Sequence, residues 1–178
     1  MALDKISMGS NPPEEVNVII EVPMNSDPVK YEIDKKSGIL FVDRFISTPM
    51  YYPCNYGFIP NTLSDDGDPV DVLVVSEFKV QAGAIIPAKP VGVFIMEDEK
   101  GMDEKIIAVP TEDMNSEYSG LNELKEIPIV VLNRIKHFFE RYKDLEKGKW
   151  VKVKHFEGRK EALQIIQEAV ARAKMASE

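Results

Sequence analysis

Residues 66–71 read Asp-Gly-Asp-Pro-Val-Asp and run directly into the apolar residues 72–75. Gly67 and Pro69 predict a turn around the first two aspartates, because glycine permits positive φ and proline fixes its own backbone. Asp71 instead falls within a β-branched run that is typical of a buried strand. An unpaired carboxylate there costs several kcal/mol, so Asp71 must be neutral, paired or bound to metal. A hard divalent cation would also relieve the repulsion between carboxylates this crowded.

Other interpretations of this stretch are less consistent with its residues. An ordinary Asp-Gly surface turn remains open from these six residues alone. An EF-hand loop is excluded, because counting from Asp66 puts Val70 at loop position 5 and Asp71 at position 6, which require an oxygen ligand and a glycine. The letters also resemble the aspartyl nucleophile motif of haloacid-dehalogenase-type phosphatases. That motif ends an apolar strand, whereas here the apolar strand follows.

Composition restricts the classes of function. The formal net charge of −8 and the pI of about 4.9 argue against nucleic-acid binding, which needs a basic surface. An acidic protein that acts on a phosphate compound must bind it through metal ions and local lysines and arginines. The single cysteine, Cys54, excludes an intrachain disulfide, and no Cys-x-x-Cys zinc set is present. No leader-like or membrane-spanning apolar run is present, so we expect a cytoplasmic protein with no membrane partner.

Hydrophobic patterning predicts a strand-rich first part and a helical end. Apolar or alternating segments predict strands at residues 16–22, 29–33, 39–45, 70–75, 91–96, 106–109 and 150–155. Residues 1–15 are predicted to be an N-terminal arm, or a short helix and turn, and residues 47–64 a long aromatic loop. Apolar residues spaced three and four apart predict helices over 131–145, with Gly148 as the cap, and over 163–173. We therefore predict one α+β domain over residues 1–178, a small barrel or curved sheet with two main packed helices.

Charged side chains on these elements suggest one shared site. The acidic clusters at 66–71 and 98–103 both lie where apolar strands meet loops, and Glu21 and Glu32 lie on strands. At one barrel mouth, these carboxylates would hold several divalent ions. The candidate anion-binding residues are Lys30, Arg44, Lys105, Tyr142 and Lys143. Taken singly, each lysine or arginine in this set is more typical of a solvated surface charge.

Six sequence blocks carry a resemblance to a known family, at residues 19–23, 30–32, 41–44, 52–57, 66–74 and 137–146. Together they resemble the soluble inorganic pyrophosphatases of family I, in their compact prokaryotic form. The resemblance implies a five-stranded OB-type β-barrel with additional short strands and flanking helices. It also implies hydrolysis of pyrophosphate to two orthophosphates with several Mg²⁺ ions, Mn²⁺ being a possible substitute. A homohexamer is implied as well, and an interface role or a packed position is predicted for His137.

The resemblance also implies roles for individual residues. Asp68 would be the general base that orients and deprotonates the attacking water, with Tyr56 close by. The implied direct metal ligands are Asp66, Asp71 and Asp103. Asp98 would join Asp103 on a metal that arrives with substrate, and Glu21 and Glu32 would hold metals partly through water. The residues implied to bind phosphate oxygens are Lys30, Arg44, Lys105, Tyr142 and Lys143.

Two competing functions are considered. A non-catalytic OB-type nucleic-acid module needs a basic, aromatic groove, but the tyrosines here lie beside carboxylates. The other is a metal-dependent phosphomonoesterase or nucleotide hydrolase, which substrate profiling distinguishes from a pyrophosphatase.

Overall fold

The computed structural model describes residues 3–177, which form eight strands and two α-helices. The strands are β1 (Val16–Val22), β2 (Val29–Ile33), β3 (Leu40–Phe45), β4 (Asn55–Phe58), β5 (Asp71–Val74), β6 (Ile85–Asp98), β7 (Gly101–Pro110) and β8 (Val151–Gly158). The helices are α1 (Ile129–Arg141) and α2 (Arg159–Ser177). Within the described part of the chain, neither helix has the length and apolar composition needed to cross a bilayer.

Five strands close into a barrel. Their order is β1-β4-β5-β7-β6, and β6 pairs again with β1 to complete the ring. Only the β5–β7 pair among these is parallel. β8 extends the sheet beyond β6, and β2 and β3 form a separate antiparallel hairpin. The predicted α+β class with a five-stranded barrel is therefore confirmed.

Both faces of the barrel strands are buried, which explains their nearly continuous apolar sequences. Side chains on one face of the strands, such as Leu73 and Phe94, pack in a cluster with Phe138 and Phe139 of α1. Side chains on the other face, at residues 72, 93 and 106, form a second cluster, to which α2 contributes Ile166. Each helix thus covers one set of strand side chains.

Strand β4 lies inside the segment predicted to be a loop. The prediction was wrong here because Pro53 and Gly57 are typical of loops. In the structure Gly57 pairs with Ile20 of β1, and a Cβ on Gly57 would lie 1.9 Å from the carbonyl oxygen of Ile19. Glycine is therefore required for the close approach of two barrel strands rather than for a turn.

Helix α1 is shorter at its C-terminal end than predicted. It ends at Arg141, so Tyr142 and Lys143 follow the helix instead of lying within it. The next turns use short-range hydrogen bonds, such as that from the Glu146 amide to the Lys143 carbonyl at 2.9 Å. Gly148 consequently does not cap the helix. His137 is exposed in the single chain, so the packed position is not observed, and the alternative of an interface role stays a prediction.

Candidate active site

A cavity of about 210 Å³ is lined by eight carboxylates and seven basic side chains. The carboxylates are Glu21, Glu32, Asp66, Asp68, Asp71, Asp98, Glu99 and Asp103, and the basic residues are Lys30, Lys35, Arg44, Lys100, Lys105, Lys143 and Lys149. All thirteen candidate residues named from the sequence line this cavity. Their individual roles stay predictions.

Strand pairing explains why distant residues meet. Asp71 and Lys105 are directly opposite each other in the parallel β5–β7 pair. Lys30 and Arg44 are opposite each other in the β2–β3 hairpin. Side chains at matched positions on neighbouring strands point to the same face, so each pair projects toward the cavity together.

Lys105 is the central cation of the cavity and is only 4% exposed. Its Nζ donates hydrogen bonds to Asp71 Oδ2 at 2.8 Å and to Asp103 Oδ1 at 3.0 Å. The rings of Tyr56 and Phe139 lie 5.4 Å from the same nitrogen. Burial opposes the charged form, but Asp103 and Asp71 outweigh it and hold the pKa of Lys105 well above its usual value. The ammonium thus links two carboxylates that the sequence assigned to metal binding.

Tyr56 completes this cluster from β4. Its hydroxyl donates a hydrogen bond to Asp71 Oδ2 at 2.7 Å. Burial, with the Asp71 charge adding to it, raises the pKa of Tyr56 well above its usual value. The phenol therefore stays protonated and orients the Asp71 carboxylate.

Glu21 is a carboxylate without a cation of its own. It is 8% exposed and accepts a hydrogen bond from the Ile33 amide at 2.8 Å. No lysine or arginine within residues 3–177 forms a salt bridge with it. Burial, aided by the charges of Asp71 and Glu32, raises its pKa from 4.5 to about 7 despite the Ile33 hydrogen bond. An added divalent cation would supply the missing positive charge.

This raised pKa predicts how the metal-free protein responds to pH. Between about pH 4.5 and 7 the folded state keeps a proton on Glu21 that the unfolded state has lost. The free energy of unfolding should therefore fall as pH rises through this window, by on the order of 2 kcal/mol. Glu21→Gln should remove this loss, because an amide does not titrate and its oxygen can still accept from Ile33.

The measurement is urea unfolding in a chelating buffer at a series of pH values. Glu112→Gln, at an exposed carboxylate away from the cavity, is the matched control and should follow the wild type. Equal pH profiles for the wild type and Glu21→Gln would contradict the prediction.

A second ion-pair cluster joins the end of β6 to the chain after α1. Lys143 Nζ donates to Asp98 Oδ2 at 2.8 Å and lies 3.5 Å from the Glu99 carboxylate. Burial opposes ionisation of Asp98, but hydrogen bonds from Lys143 and the Lys100 amide outweigh it, so its pKa is lowered. Lys143 also lies 5.7 Å from the Tyr142 ring centroid. The end of β6 and the chain after α1 thus form a wall of the cavity that carries paired charges of both signs.

The β2–β3 hairpin forms another wall of the cavity. Lys30 Nζ lies 2.6 Å from Glu32 and 3.3 Å from Asp43, and Arg44 Nη1 donates to Asp43 at 2.7 Å. Asp43 therefore lies between the two cations that face each other across the hairpin.

Asp68 lies on the exposed rim of the cavity. Its side chain is 67% exposed, and Lys35 Nζ from the hairpin turn donates to its Oδ1. Its amide donates to Asp66 Oδ1 at 3.0 Å, which forms the predicted turn. Asp68 is thus an accessible carboxylate held by the turn and by one lysine.

Sequence reasoning assigned no role to several charged residues that line the cavity or contact its lining residues. The omitted residues are Lys35, Asp43, Glu99, Lys100, Glu146 and Lys149. Glu146 and Lys149 are spaced three apart, a signal for a local ion pair that was available. The contact between Lys35 and Asp68 depends on tertiary packing and has no local signal.

The donor atoms suit a hard metal ion, although no ready-made cage exists. Within residues 3–177 no three histidine, cysteine, aspartate or glutamate side chains form a group that could hold an ion unaided. Asp71 and Asp103 are instead linked by Lys105. Carboxylate oxygens are the ligands preferred by Mg²⁺, and Glu21 is a buried carboxylate with no ion pair among the described residues. The residues present therefore fit a divalent cation.

Comparisons with known proteins match nearly the whole chain. A family model described as inorganic pyrophosphatase matches residues 18–174. The inorganic pyrophosphatase of Rickettsia bellii is 57% identical over 172 residues, covering 97% of this chain and 98% of that protein. The inorganic pyrophosphatase of Rhodospirillum rubrum is 53% identical over 171 residues, covering 96% of each. A solved structure titled inorganic phosphatase, from Anaplasma phagocytophilum, has a TM-score of 0.92 at 52% identity and covers 96% of this chain and 99% of that one.

Proposed function

Because this chain belongs to the inorganic pyrophosphatase family, we propose that its cavity hydrolyses pyrophosphate to two orthophosphates with Mg²⁺. The observation that carries the proposal is the gathering of eight carboxylates and seven basic side chains around one small cavity. A compact, highly charged anion needs cations around it, and the carboxylates would hold the metal ions that an acidic protein needs to bind it.

The reaction adds one water molecule across the P–O–P bond. The water oxygen bonds to one phosphorus atom, and the bridging oxygen leaves with the electron pair of the broken bond on the other phosphate. One proton leaves the water and one reaches the products, so two orthophosphates form without any change in oxidation state. The protein must therefore position a water, accept a proton and stabilise negative charge.

Metal binding is assigned to the carboxylates. Asp66, Asp71 and Asp103 would hold Mg²⁺ directly, Asp98 would hold an ion together with Asp103, and Glu21 and Glu32 would act partly through water. When bound, Mg²⁺ supplies charge that stabilises phosphate oxygens and makes water more acidic.

Asp68 is the proposed general base. Its exposed carboxylate is accessible to water on the cavity rim, and the 66–71 turn fixes its backbone. Tyr56 would support the site indirectly, because its hydroxyl is hydrogen-bonded to Asp71.

The cations of the cavity would bind the phosphate oxygens. Lys30, Lys105 and Lys143 each contact carboxylates in the structure. Pyrophosphate and Mg²⁺ together would replace these pairs, because the lysines could contact phosphate while the released carboxylates contact metal. Arg44 and Tyr142 would add further donors.

The proposal is tested by measuring phosphate release from pyrophosphate against Mg²⁺ concentration. We expect a rate that rises with Mg²⁺, saturates, and is lost in excess chelator. ATP and a phosphate monoester are the comparison substrates, and hydrolysis of either at the pyrophosphate rate would favour the broader hydrolase instead. No phosphate release from pyrophosphate at any Mg²⁺ concentration would overturn the proposal.

We also propose a cytoplasmic homohexamer, consistent with the family. Exposed apolar side chains such as Phe45, Phe78 and Ile129 favour self-association. Sedimentation equilibrium tests the assembly, which a monomer at micromolar concentration would contradict, and cell fractionation tests the location.

A further inference from the structure

Glu146 lies in the turns that follow α1, just behind the cavity wall. Its amide donates to the Lys143 carbonyl at 2.9 Å, and its own carbonyl accepts from the Lys149 amide at 3.2 Å. Much of this segment is exposed, and Leu145 faces solvent. The Glu146 side chain is nevertheless only 12% exposed. A carboxylate turned inward from an otherwise exposed turn needs partners.

Two cations that line the cavity share this carboxylate. Glu146 Oε2 lies 2.9 Å from Lys149 Nζ, and Oε1 lies 3.5 Å from Arg44 Nε. Glu146 is not itself a lining residue, whereas Arg44 and Lys149 are. It therefore contacts the cavity through other side chains.

The contact with Arg44 is unusual because both atoms are otherwise unsatisfied. Within the described residues, Arg44 Nε and Glu146 Oε1 are buried and have no hydrogen-bond partner. Their separation of 3.5 Å exceeds the usual N–H···O range. A buried donor and a buried acceptor of opposite charge face each other, so each is the available partner of the other.

The guanidinium group is thereby fixed from two sides. Arg44 Nη1 donates to Asp43 Oδ2 at 2.7 Å, and Nε faces Glu146. A guanidinium has five donors in one plane, so fixing two of its nitrogens sets the direction of the donors that remain. Those donors suit bidentate contact with phosphate oxygens, which a lysine ammonium cannot reproduce.

Electrostatics keeps both partners charged. Burial opposes ionisation of Glu146, but the Lys149 hydrogen bond and the Arg44 charge outweigh it and lower the pKa of Glu146. Burial likewise opposes the charge of Arg44, and Glu146 and Asp43 outweigh it, so the pKa of Arg44 is raised. The pair is therefore ionic at neutral pH.

We propose that Glu146 is a positioning residue that orients the Arg44 guanidinium toward a phosphate group in the cavity, with Lys149 holding the Glu146 carboxylate in place. The inference rests on the proposed function, since the anion is pyrophosphate or its product. Glu146 acts through Arg44 and does not touch the substrate.

The test is Glu146→Gln, which keeps the size of the side chain and removes its charge. Because Arg44 would bind phosphate in both the ground state and the transition state, its misorientation should mainly raise KM. We expect KM for pyrophosphate in saturating Mg²⁺ to rise about tenfold while kcat changes by less than about threefold. The dissociation constant for inorganic phosphate, from calorimetric titration, should rise by about the same factor.

Three further variants separate positioning from a structural role. Glu140→Gln removes a partly exposed carboxylate of α1 that lies 3.9 Å from Lys136, and it should leave KM unchanged. Glu146→Asp keeps the charge and should give an intermediate KM. In an Arg44→Lys background, Glu146→Gln should add less than about a twofold effect, because Glu146 would no longer have a guanidinium to orient.

Several results would overturn the inference. One is a wild-type KM and phosphate affinity in Glu146→Gln. Another is a lowered unfolding midpoint with kcat reduced and KM unchanged, which would indicate a structural role. A third is an undiminished effect in the Arg44→Lys background. A wild-type protein that does not hydrolyse pyrophosphate would overturn the proposed function, and phosphate binding by Glu146→Gln would still decide the role of Glu146.

Discussion

Replacing Lys105 with methionine is expected to lower kcat/KM for pyrophosphate by about 10³-fold. Lys105 is buried and hydrogen-bonded to Asp71 and Asp103, so its removal leaves two neighbouring carboxylates without their shared cation. Removing one partner of a buried ion pair costs about 3–5 kcal/mol, which corresponds to this loss if the same charge stabilises the transition state.

A measurement of metal binding distinguishes the loss of the Lys105 charge from a general loss of structure. Methionine has a similar length and suits the contacts with Tyr56 and Phe139. Without the ammonium, Asp71 and Asp103 have no competing cation between them, so Mn²⁺ affinity measured by calorimetry should be unchanged or stronger. Lys105→Arg keeps the charge and should lose less activity.

Lys154→Met is the matched control, because Lys154 pairs with Glu97 on β6 and does not line the cavity. It should retain wild-type kinetics. Near-normal kcat/KM in Lys105→Met, or an equal loss in the Lys154 variant, would contradict a role for Lys105 in phosphate binding.

Asp68→Asn is expected to lower kcat by about 10²-fold or more with little change in KM. The amide keeps the shape of the carboxylate and can still accept one hydrogen bond, but it is a very weak base. Because the Asp68 side chain is mostly exposed, the substitution should change the free energy of unfolding by less than about 0.5 kcal/mol. The loss should therefore appear in the chemical step.

Steady-state kinetics with saturating Mg²⁺ would measure this effect. Asp65→Asn is the control, since Asp65 lies in the same turn but faces solvent, with Arg172 at 3.2 Å. Its kinetics should match the wild type. Turnover near normal in Asp68→Asn would remove Asp68 as the base.

The strands that were predicted best are those with β-branched sequences. β1 and the core of β5 were recognised because a buried strand needs apolar side chains on both faces. β4 was missed, because Gly57 is required by the backbone of a neighbouring strand, and that neighbour is not adjacent in sequence. The end of α1 was also missed, because the apolar spacing continues past Arg141 although the backbone leaves the helix.

The candidate site was likewise predicted from the sequence only in part. The acidic turn at 66–71 and the similarity of several sequence blocks to one family identified thirteen residues that line one cavity. Glu146 and Lys35 were not identified as part of it, although both contact residues of that set. Neither residue type nor local spacing indicates that an exposed turn will direct one carboxylate toward Arg44.

The sequence alone determined the class of fold and the chemical character of the site. Hydrophobic patterning and crowded carboxylates are local properties of the chain. Any fold that this chain adopts must bury the apolar side chains and compensate the charge of the carboxylates. Only the tertiary structure decided that Asp71 and Asp103 share Lys105, that Glu21 lacks a cation among the described residues, and that Glu146 faces Arg44. These pairings depend on interatomic distance and burial, and closure of the barrel sets both by bringing together segments that are far apart in the chain.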